Sequence, residues 1–156
     1  AVLGATGSIG TATIDVVRQL NQVDPENRWH ISAASGHRNT QLLAELVGGL
    51  DQPADRVILS NNVTNDDLGS DEARLRALGS RIEFGPEALV SAASDESVDV
   101  VVAAIVGRAG LESTLAAVEA EAELCIERTP LPTLPSRARR EGHSRGAHHP
   151  THGHLR

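Results

Sequence analysis

Three glycines near the start of the chain, Gly4, Gly7 and Gly10, are spaced three residues apart. They follow a short apolar stretch (residues 1–3) and precede a run with helical periodicity. A strand, a glycine turn and a helix in this order can form a phosphate site, because glycine allows close backbone approach and a helix N-terminus attracts anions. A tight strand–helix turn that binds no ligand is the alternative.

A second candidate segment, Ser35-Gly36-His37-Arg38-Asn39, follows a predicted strand and contains no acid. In a dinucleotide site an acid at this point favours the ribose 2′-hydroxyl of NAD, whereas arginine accommodates the 2′-phosphate of NADP. Arg38 offers a planar, permanently charged guanidinium and therefore favours NADP. Its alternative is a solvated loop residue. His37 is either another loop residue or a ring that stacks on adenine.

A third candidate, residues 103–110 (Ala-Ala-Ile-Val-Gly-Arg-Ala-Gly), follows the most hydrophobic run of the chain and precedes a predicted helix. Small residues there let a flat ring lie against the strand ends, at the crevice where doubly wound sheets bind ligands. We therefore place Ala104 against the cofactor. An ordinary strand–helix loop remains the alternative on this pattern alone.

The elements that must position these segments alternate along the chain. Apolar periodicity and glycine or proline punctuation predict helices and strands in turn. The predicted helices cover residues 10–21, 42–47, 73–78, 86–92 and 110–120, and the strands after the glycine turn cover 29–34, 56–60, 81–85, 98–104 and 123–126. Residues 61–70 are predicted to be a polar loop. This order predicts a Rossmann-like, doubly wound α/β domain with a mostly parallel sheet.

Composition excludes several classes of protein. The single cysteine, Cys125, excludes a disulfide framework and a cysteine zinc site, and we expect it to be a small buried hydrophobe. No apolar run could span a membrane and no signal peptide opens the chain, so we expect a cytoplasmic protein without a membrane partner. The missing initiator methionine and the short first strand suggest a start inside a longer product.

Charge divides the chain near residue 127. Residues 1–126 hold eight arginines and nineteen acids, giving −11, whereas residues 127–156 hold six arginines and two acids, giving +4. The second segment has no apolar periodicity, so we expect a disordered tail. It carries five of the seven histidines, but Pro150 and several glycines argue against a metal site. The absence of lysine and aromatic residues argues against a nucleic-acid partner.

Two segments together resemble one known family. Residues 4–11 followed by Asp-Val-Val-Arg at 15–18, and residues 101–111 followed by Thr-Leu-Ala-Ala at 114–117, are similar to the 1-deoxy-D-xylulose 5-phosphate reductoisomerases. The resemblance covers about residues 1–126. It implies the NADPH-binding domain of an enzyme that uses NADPH and a divalent metal (Mg or Mn) to make 2-C-methyl-D-erythritol 4-phosphate, in the non-mevalonate isoprenoid pathway. It further implies a phosphorylated sugar substrate and a homodimer.

The resemblance also implies positions for the cofactor. It sets the residues of the glycine turn along the cofactor phosphates and matches Arg38 and Asn39 to the family's basic-residue–Asn pair. The family usually has Gly then Lys where this chain has His37 and Arg38. The predicted cofactor-binding residues are Thr6, Gly7, Ser8, Ile9, Gly10, Arg38, Asn39 and Ala104.

The chain departs from the family after Ala120. The family's Asn-Lys-Glu and metal-binding Leu-Pro-x-Asp-Ser-Glu-His segments are missing, so we predict no catalytic and no metal-binding residue. Codons permitted for residues 148–155, read one base out of frame, can encode Thr-Ile-Leu-Pro-Thr-Asp-Thr-Ser. We therefore hypothesise a frameshift near residues 121–128 and expect NADPH binding without turnover. The alternative is a non-catalytic nucleotide-binding or regulatory module whose disordered tail binds a partner.

Overall fold

The structure, a computed structural model, describes residues 1–60, 73–107 and 110–126. Its strands are β1 (Val2–Leu3), β2 (Ala33–Gly36), β3 (Arg56–Leu59), β4 (Arg81–Phe84), β5 (Val100–Ala103) and β6 (Glu123–Ile126). Its helices are α1 (Ser8–Val23), α2 (Thr40–Gly48), α3 (residues 73–77), α4 (Gly85–Ala93) and α5 (Leu111–Glu119). The predicted polar loop and the predicted disordered tail lie outside the described residues.

All six strands pair in parallel, in the order β4-β3-β2-β1-β5-β6. The chain moves outward from β1 to β4, and α4 then carries it across to β5 on the other side of β1. This topology confirms the predicted doubly wound α/β fold. It also makes β1 and β5 the pair at which the direction of winding reverses.

Helices cover both faces of the sheet. Successive side chains of a strand point to opposite faces, so Val2 packs in a core with α1, α2 and α3, whereas Leu3 packs in a second core with α4 and α5. In β3, Val57 and Leu59 join the first core and Ile58 joins the second. Two covered faces explain why these strands are continuous apolar runs without alternation.

The second strand does not lie where the apolar pattern predicts it. The prediction places it at residues 29–34, whereas β2 covers Ala33–Gly36. The Trp29 N–H donates to Asn21 Oδ1 (2.7 Å), and Asn21 Nδ2 donates to the Trp29 carbonyl (2.9 Å). Because these backbone groups bind a side chain of α1, they are not available to a sheet ladder. The strand therefore does not include Trp29, and it ends at Gly36, within the predicted cofactor segment 35–39.

The prediction that Cys125 is buried is wrong, because the thiol residue is exposed. Cys125 lies on β6, the edge strand of the sheet, in register with Val102. Its neighbour Leu124 packs against the core formed with α4 and α5, so alternation turns Cys125 to the opposite face. Exposure at this position follows from strand order, which an apolar sequence pattern does not contain.

Candidate dinucleotide-binding site

The candidate site lies where β1 and β5 end side by side. Leu3 is in register with Ala103, and the Ala104 N–H donates to the Leu3 carbonyl at 2.8 Å. From this point α1 and α5 pack against opposite faces of the sheet. A crevice between two neighbouring strands whose following helices lie on opposite faces is the usual ligand site of an open α/β sheet.

At two of the three positions, Gly4 and Gly10, close backbone contacts within the protein require glycine. Gly4 has φ +91°, and a Cβ there would lie 2.5 Å from the Ala104 carbonyl oxygen. A Cβ at Gly10 would overlap the Gly4 carbonyl oxygen and lie 2.5 Å from Ala5 Cα. At Gly7, in contrast, a Cβ would meet Gly4 O at 3.4 Å, an ordinary contact. Gly7 is exposed, so glycine there leaves room for a ligand to approach the backbone.

Hydrogen bonds from β2 hold the glycine turn in place. The Gly4 N–H donates to Ser35 Oγ at 2.8 Å, and the Ala5 N–H donates to the Ser35 carbonyl at 2.7 Å. Ser35 is buried. Sequence reasoning did not identify this role, because it placed Ser35 beyond the end of the strand. The only available signal was a hydroxyl beside a glycine in an otherwise apolar segment.

The N-terminus of α1 is open to an anion. Its N-cap is Gly7, with no side-chain cap among the described residues and no acid in the first turn. The N–H groups of Ser8, Ile9 and Gly10 have no partner within the helix because of their position in its first turn. In contrast, α4 and α5 carry a glutamate in the first turn and Asn39 caps α2. Among these four helices, α1 is therefore the one whose positive end is left uncompensated.

The loop after β2 lies next to this turn. A Cβ on Gly36 would come within 3.3 Å of Thr6 Cγ2. Arg38 is exposed and forms no ion pair within the described part of the chain. Asn39, predicted to bind the cofactor, accepts the Leu42 N–H through Oδ1 at 3.0 Å and so begins α2. His37 Nδ1 lies 3.1 Å from Ser60 Oγ at the end of β3.

The segment after β5 forms the other wall. Ala104 is buried beside Gly4, and Val106 is two-thirds exposed (67%). Gly107 has φ +77°, a left-handed conformation that favours glycine. Residues 108 and 109 of the predicted segment lie outside the described residues. The structure thus brings the glycine turn, the 37–39 loop and Ala104 to one edge of the sheet, with exposed apolar surface at Val106.

The described ranges contain neither a cluster of metal ligands nor a membrane-spanning helix. In residues 1–60, 73–107 and 110–126, no three His, Cys, Asp or Glu side chains are placed to share a metal ion. None of the helices within these ranges is both long and apolar enough to cross a membrane. The histidine-rich tail, for which we predicted no metal site, lies outside these ranges.

Fold and site together define a dinucleotide-binding α/β domain. Residues 1–127 match the family model described as 1-deoxy-D-xylulose 5-phosphate reductoisomerase. The chain belongs to this family, as the resemblance of its two segments predicted.

Curated relatives carry the same name. The chain is 47% identical over 131 residues to the 1-deoxy-D-xylulose 5-phosphate reductoisomerase of Rhodopirellula baltica, covering 77% of this chain and 28% of that protein. It is 43% identical over 119 residues to the enzyme of Ralstonia nicotianae, covering 76% and 28%. The chain therefore spans little more than a quarter of the length of these relatives.

Solved structures of the family share the fold. The enzyme from Zymomonas mobilis in complex with NADPH superposes with a TM-score of 0.68 at 30% identity, covering 81% of this chain and 31% of that one. A DOX-P reductoisomerase in complex with NADPH, fosmidomycin and magnesium superposes with a TM-score of 0.64 at 38% identity, covering 79% and 28%.

Proposed function

We propose that residues 1–126 are the NADPH-binding domain of a 1-deoxy-D-xylulose 5-phosphate reductoisomerase. The observation that carries this proposal is the uncapped, acid-free N-terminus of α1, set behind a turn that requires Gly4 and Gly10. Such a helix end binds the diphosphate of a dinucleotide. The NADPH complex of the Zymomonas mobilis relative supports the same cofactor.

The residues at this edge fit NADPH. The backbone N–H groups of Thr6, Ser8, Ile9 and Gly10 would hold the diphosphate, whereas the Gly7 N–H donates to the Gly4 carbonyl within the turn at 3.0 Å. Arg38 would pair with the 2′-phosphate. Because Arg38 has no ion pair within the described residues, no existing interaction has to be broken. Ala104 and Val106 would lie beside the nicotinamide. When bound, NADPH supplies a hydride, and this chain's residues position it.

The described residues do not fit a divalent metal, since no cluster of ligands occurs among them. A relative is solved with magnesium, so we propose that the metal and the sugar phosphate bind to parts of the complete enzyme outside the described residues. Differential stabilisation of a transition state needs those groups in place. We therefore propose that this chain alone does not make 2-C-methyl-D-erythritol 4-phosphate. A homodimer and a cytoplasmic location belong to the proposal for the complete enzyme.

Titration of the chain with NADPH and NADH, followed by nicotinamide fluorescence, tests the cofactor assignment. We expect NADPH to bind at least tenfold more tightly, because one charge-assisted pair is worth about 1.5–3 kcal/mol. Arg38→Ala should reduce this preference by about tenfold. Arg28→Ala is the matched control, because Arg28 is half-exposed and lies near Asp51 (3.9 Å), away from the glycine turn. A folded chain that binds neither nucleotide would overturn the proposal.

For residues 127–156 we propose translation in a shifted frame. The family match stops at residue 127, where the charge of the chain changes sign. The alternative, a regulatory module with a partner-binding tail, depends on this same segment, which lies outside the described residues. The coding DNA after the Ile126 codon separates the two. A shifted frame that does not encode Leu-Pro-x-Asp near its end would show the frameshift to be wrong.

A further inference from the structure

We propose that His37 is a second recognition group for the 2′-phosphate of NADPH, and that it binds as an imidazolium, taking up a proton as the ligand arrives. This inference rests on the proposed NADPH site. It assigns part of the preference for NADPH to a side chain at a position where the family usually has glycine.

The position of His37 follows from the end of β2. This strand ends at Gly36, and both His37 and Arg38 are exposed in the loop that follows. Gly36 lies against Thr6 of the glycine turn. The end of the second strand meets the adenosine ribose in dinucleotide-binding folds. A phosphate on the ribose 2′-oxygen would therefore lie between the two side chains, His37 and Arg38.

The contact with Ser60 indicates which nitrogen of the neutral ring carries the proton. Ser60 Oγ lies 3.1 Å from His37 Nδ1 and donates to the Gly36 carbonyl at 3.3 Å. A hydroxyl has a single proton to donate. Both contacts are hydrogen bonds at once only if Nδ1 carries a proton and donates it to Ser60. In the neutral ring Nε2 then has a bare lone pair, which a phosphate would repel.

A second proton on the His37 ring changes its interaction with the phosphate from repulsion to attraction. Once Nε2 takes a proton from solvent, the ring is a cation that can donate a charge-assisted hydrogen bond to a phosphate oxygen. The Nδ1–H group continues to donate to Ser60 Oγ, so the orientation of the ring is unchanged. The ligand is thus recognised by a side chain that becomes charged when the phosphate is present.

No carboxylate competes for this proton among the described residues packed around His37. The glycine turn and the first half of α1 (residues 4–14) contain no charged residue. The first turn of α2 has no acid, and Glu45, farther along that helix, accepts from Gln41 at 3.1 Å. β3 contributes Ser60, and Arg38 adds a positive charge. With no carboxylate near the ring in the described part of the chain, the bound phosphate is the negative group that stabilises the imidazolium.

Calorimetric titration of the full chain in two buffers of different ionisation enthalpy measures the protons taken up on binding. At pH 7 we expect net uptake with NADPH, relative to His37→Ala, and no difference between the two proteins with NADH. The comparison with His37→Ala also subtracts any proton released by the 2′-phosphate, whose second ionisation lies near pH 6. Equal uptake by both proteins with NADPH would overturn the inference.

Affinity provides the second readout. At pH 6.5 we expect His37→Ala and His37→Phe each to weaken NADPH binding about tenfold and to leave NADH binding unchanged. Phenylalanine keeps a ring that can stack on adenine, so NADPH binding at the wild-type level by His37→Phe would overturn our assignment in favour of stacking. If the folded wild-type chain binds no NADPH, the proposed function fails as well. NADPH binding without proton uptake overturns only the role of His37.

Discussion

The two edges of the parallel sheet are built differently. The carboxyl edge, with the glycine turn and the 37–39 loop, consists of small residues, uncompensated N–H groups and Arg38, which has no ion pair within the described residues. At the amino edge, β3 begins with Arg56, which is buried and fully engaged. Within the described part of the chain, an arginine is thus exposed without an ion pair at one edge and paired at the other.

Arg56 joins three elements of the amino edge. Its Nε and Nη2 donate to the two carboxylate oxygens of Glu83 on β4, at 3.1 and 2.6 Å. Nη2 also donates to Ser91 Oγ on α4 at 3.1 Å, and Nη1 lies 3.6 Å from Asp95. The bidentate guanidinium holds the pKa of the Glu83 carboxyl below its ordinary value. These charges are satisfied within the protein, so they contribute to stability.

A cavity of about 380 Å³ also lies at the amino edge, bordered by residues such as Ala1, Trp29 and Val98. The helix N-termini and βα loops, which bind anionic ligands, lie at the opposite edge. Cavity size therefore does not identify the nucleotide site, whereas the direction of the strands and helices does. Substitutions at the carboxyl edge should change binding, and those at the amino edge should change stability alone.

The largest effect is expected from Gly10→Ala. Its new methyl group would overlap the Gly4 carbonyl and Ala5 Cα, both backbone atoms that cannot rotate away. We expect a loss of about 4 kcal/mol in the free energy of unfolding, measured by urea denaturation. Gly48→Ala is the control, because a Cβ there would lie 3.5 Å from Leu78 Cδ1, an ordinary contact. Equal urea midpoints for Gly10→Ala and wild type would contradict the geometry of the turn.

Arg56→Ala should have the next largest effect, about 3 kcal/mol, because it removes the bidentate hydrogen bonds to Glu83 and the hydrogen bond to Ser91. The matched change Arg81→Ala should cost less than about 1 kcal/mol, because Arg81 pairs with the same Glu83 from an exposed position (68%). Neither variant should alter NADPH affinity once folded. A tenfold loss of affinity in Arg56→Ala would show that the two edges are not independent.

The pH dependence of stability provides a second measurement of the interaction between Arg56 and Glu83. The pKa of Glu83 is lowered in the folded state, first of all by its hydrogen bond from Arg56. The stabilisation is therefore present above the ordinary carboxyl pKa and is lost as pH falls through the folded value. We expect Arg56→Ala to lose stability less steeply than wild type as the pH is lowered below about 5.

In a chain produced from Ala1 onward, the amino group of Ala1 should give a pH dependence of the same sign in a higher pH range. Burial lowers its pKa from 8.0 to about 6, although Asp99 raises it in part. Between these values the unfolded chain binds more protons, so stability rises with pH, by up to about 2–3 kcal/mol from pH 6 to 8. Urea denaturation at pH 6, 7 and 8 measures this rise. An N-acetylated chain lacks the titrating group, and the same rise in that chain would rule out Ala1 as its source.

Local patterns in the sequence predict most of the elements but not their arrangement. The β-branched run of β5 is confirmed, because a central strand must be apolar on both faces. The predicted boundaries of the edge strand β6 are confirmed as well. The glycine spacing predicts the turn, because two of its glycines are required by backbone contacts. The shift of β2 depends on Asn21, a residue of a neighbouring helix that no window around Trp29 contains.

Contacts between distant segments account for the rest of what the sequence did not reveal. Arg56 meets Glu83 only through the register of β3 and β4, and Ser35 meets Gly4 only because β1 and β2 are neighbours. The eight predicted cofactor-binding residues stay a prediction. The structure places them at one edge, with Asn39 engaged as a helix cap.

The smallest effects are expected at two buried serines, one at each edge of the sheet. Ser35 Oγ accepts the Gly4 N–H at 2.8 Å, and Ser80 Oγ donates to the Ala54 carbonyl at 2.6 Å. Changing either to alanine leaves a buried backbone group without its partner, so each should cost about 1–2 kcal/mol of stability by urea denaturation. Only Ser35→Ala should weaken NADPH binding, by roughly threefold, because Gly4 positions the turn at the start of α1. If Ser80→Ala weakens NADPH binding as much, general loosening of the sheet, and not the position of the glycine turn, controls cofactor affinity.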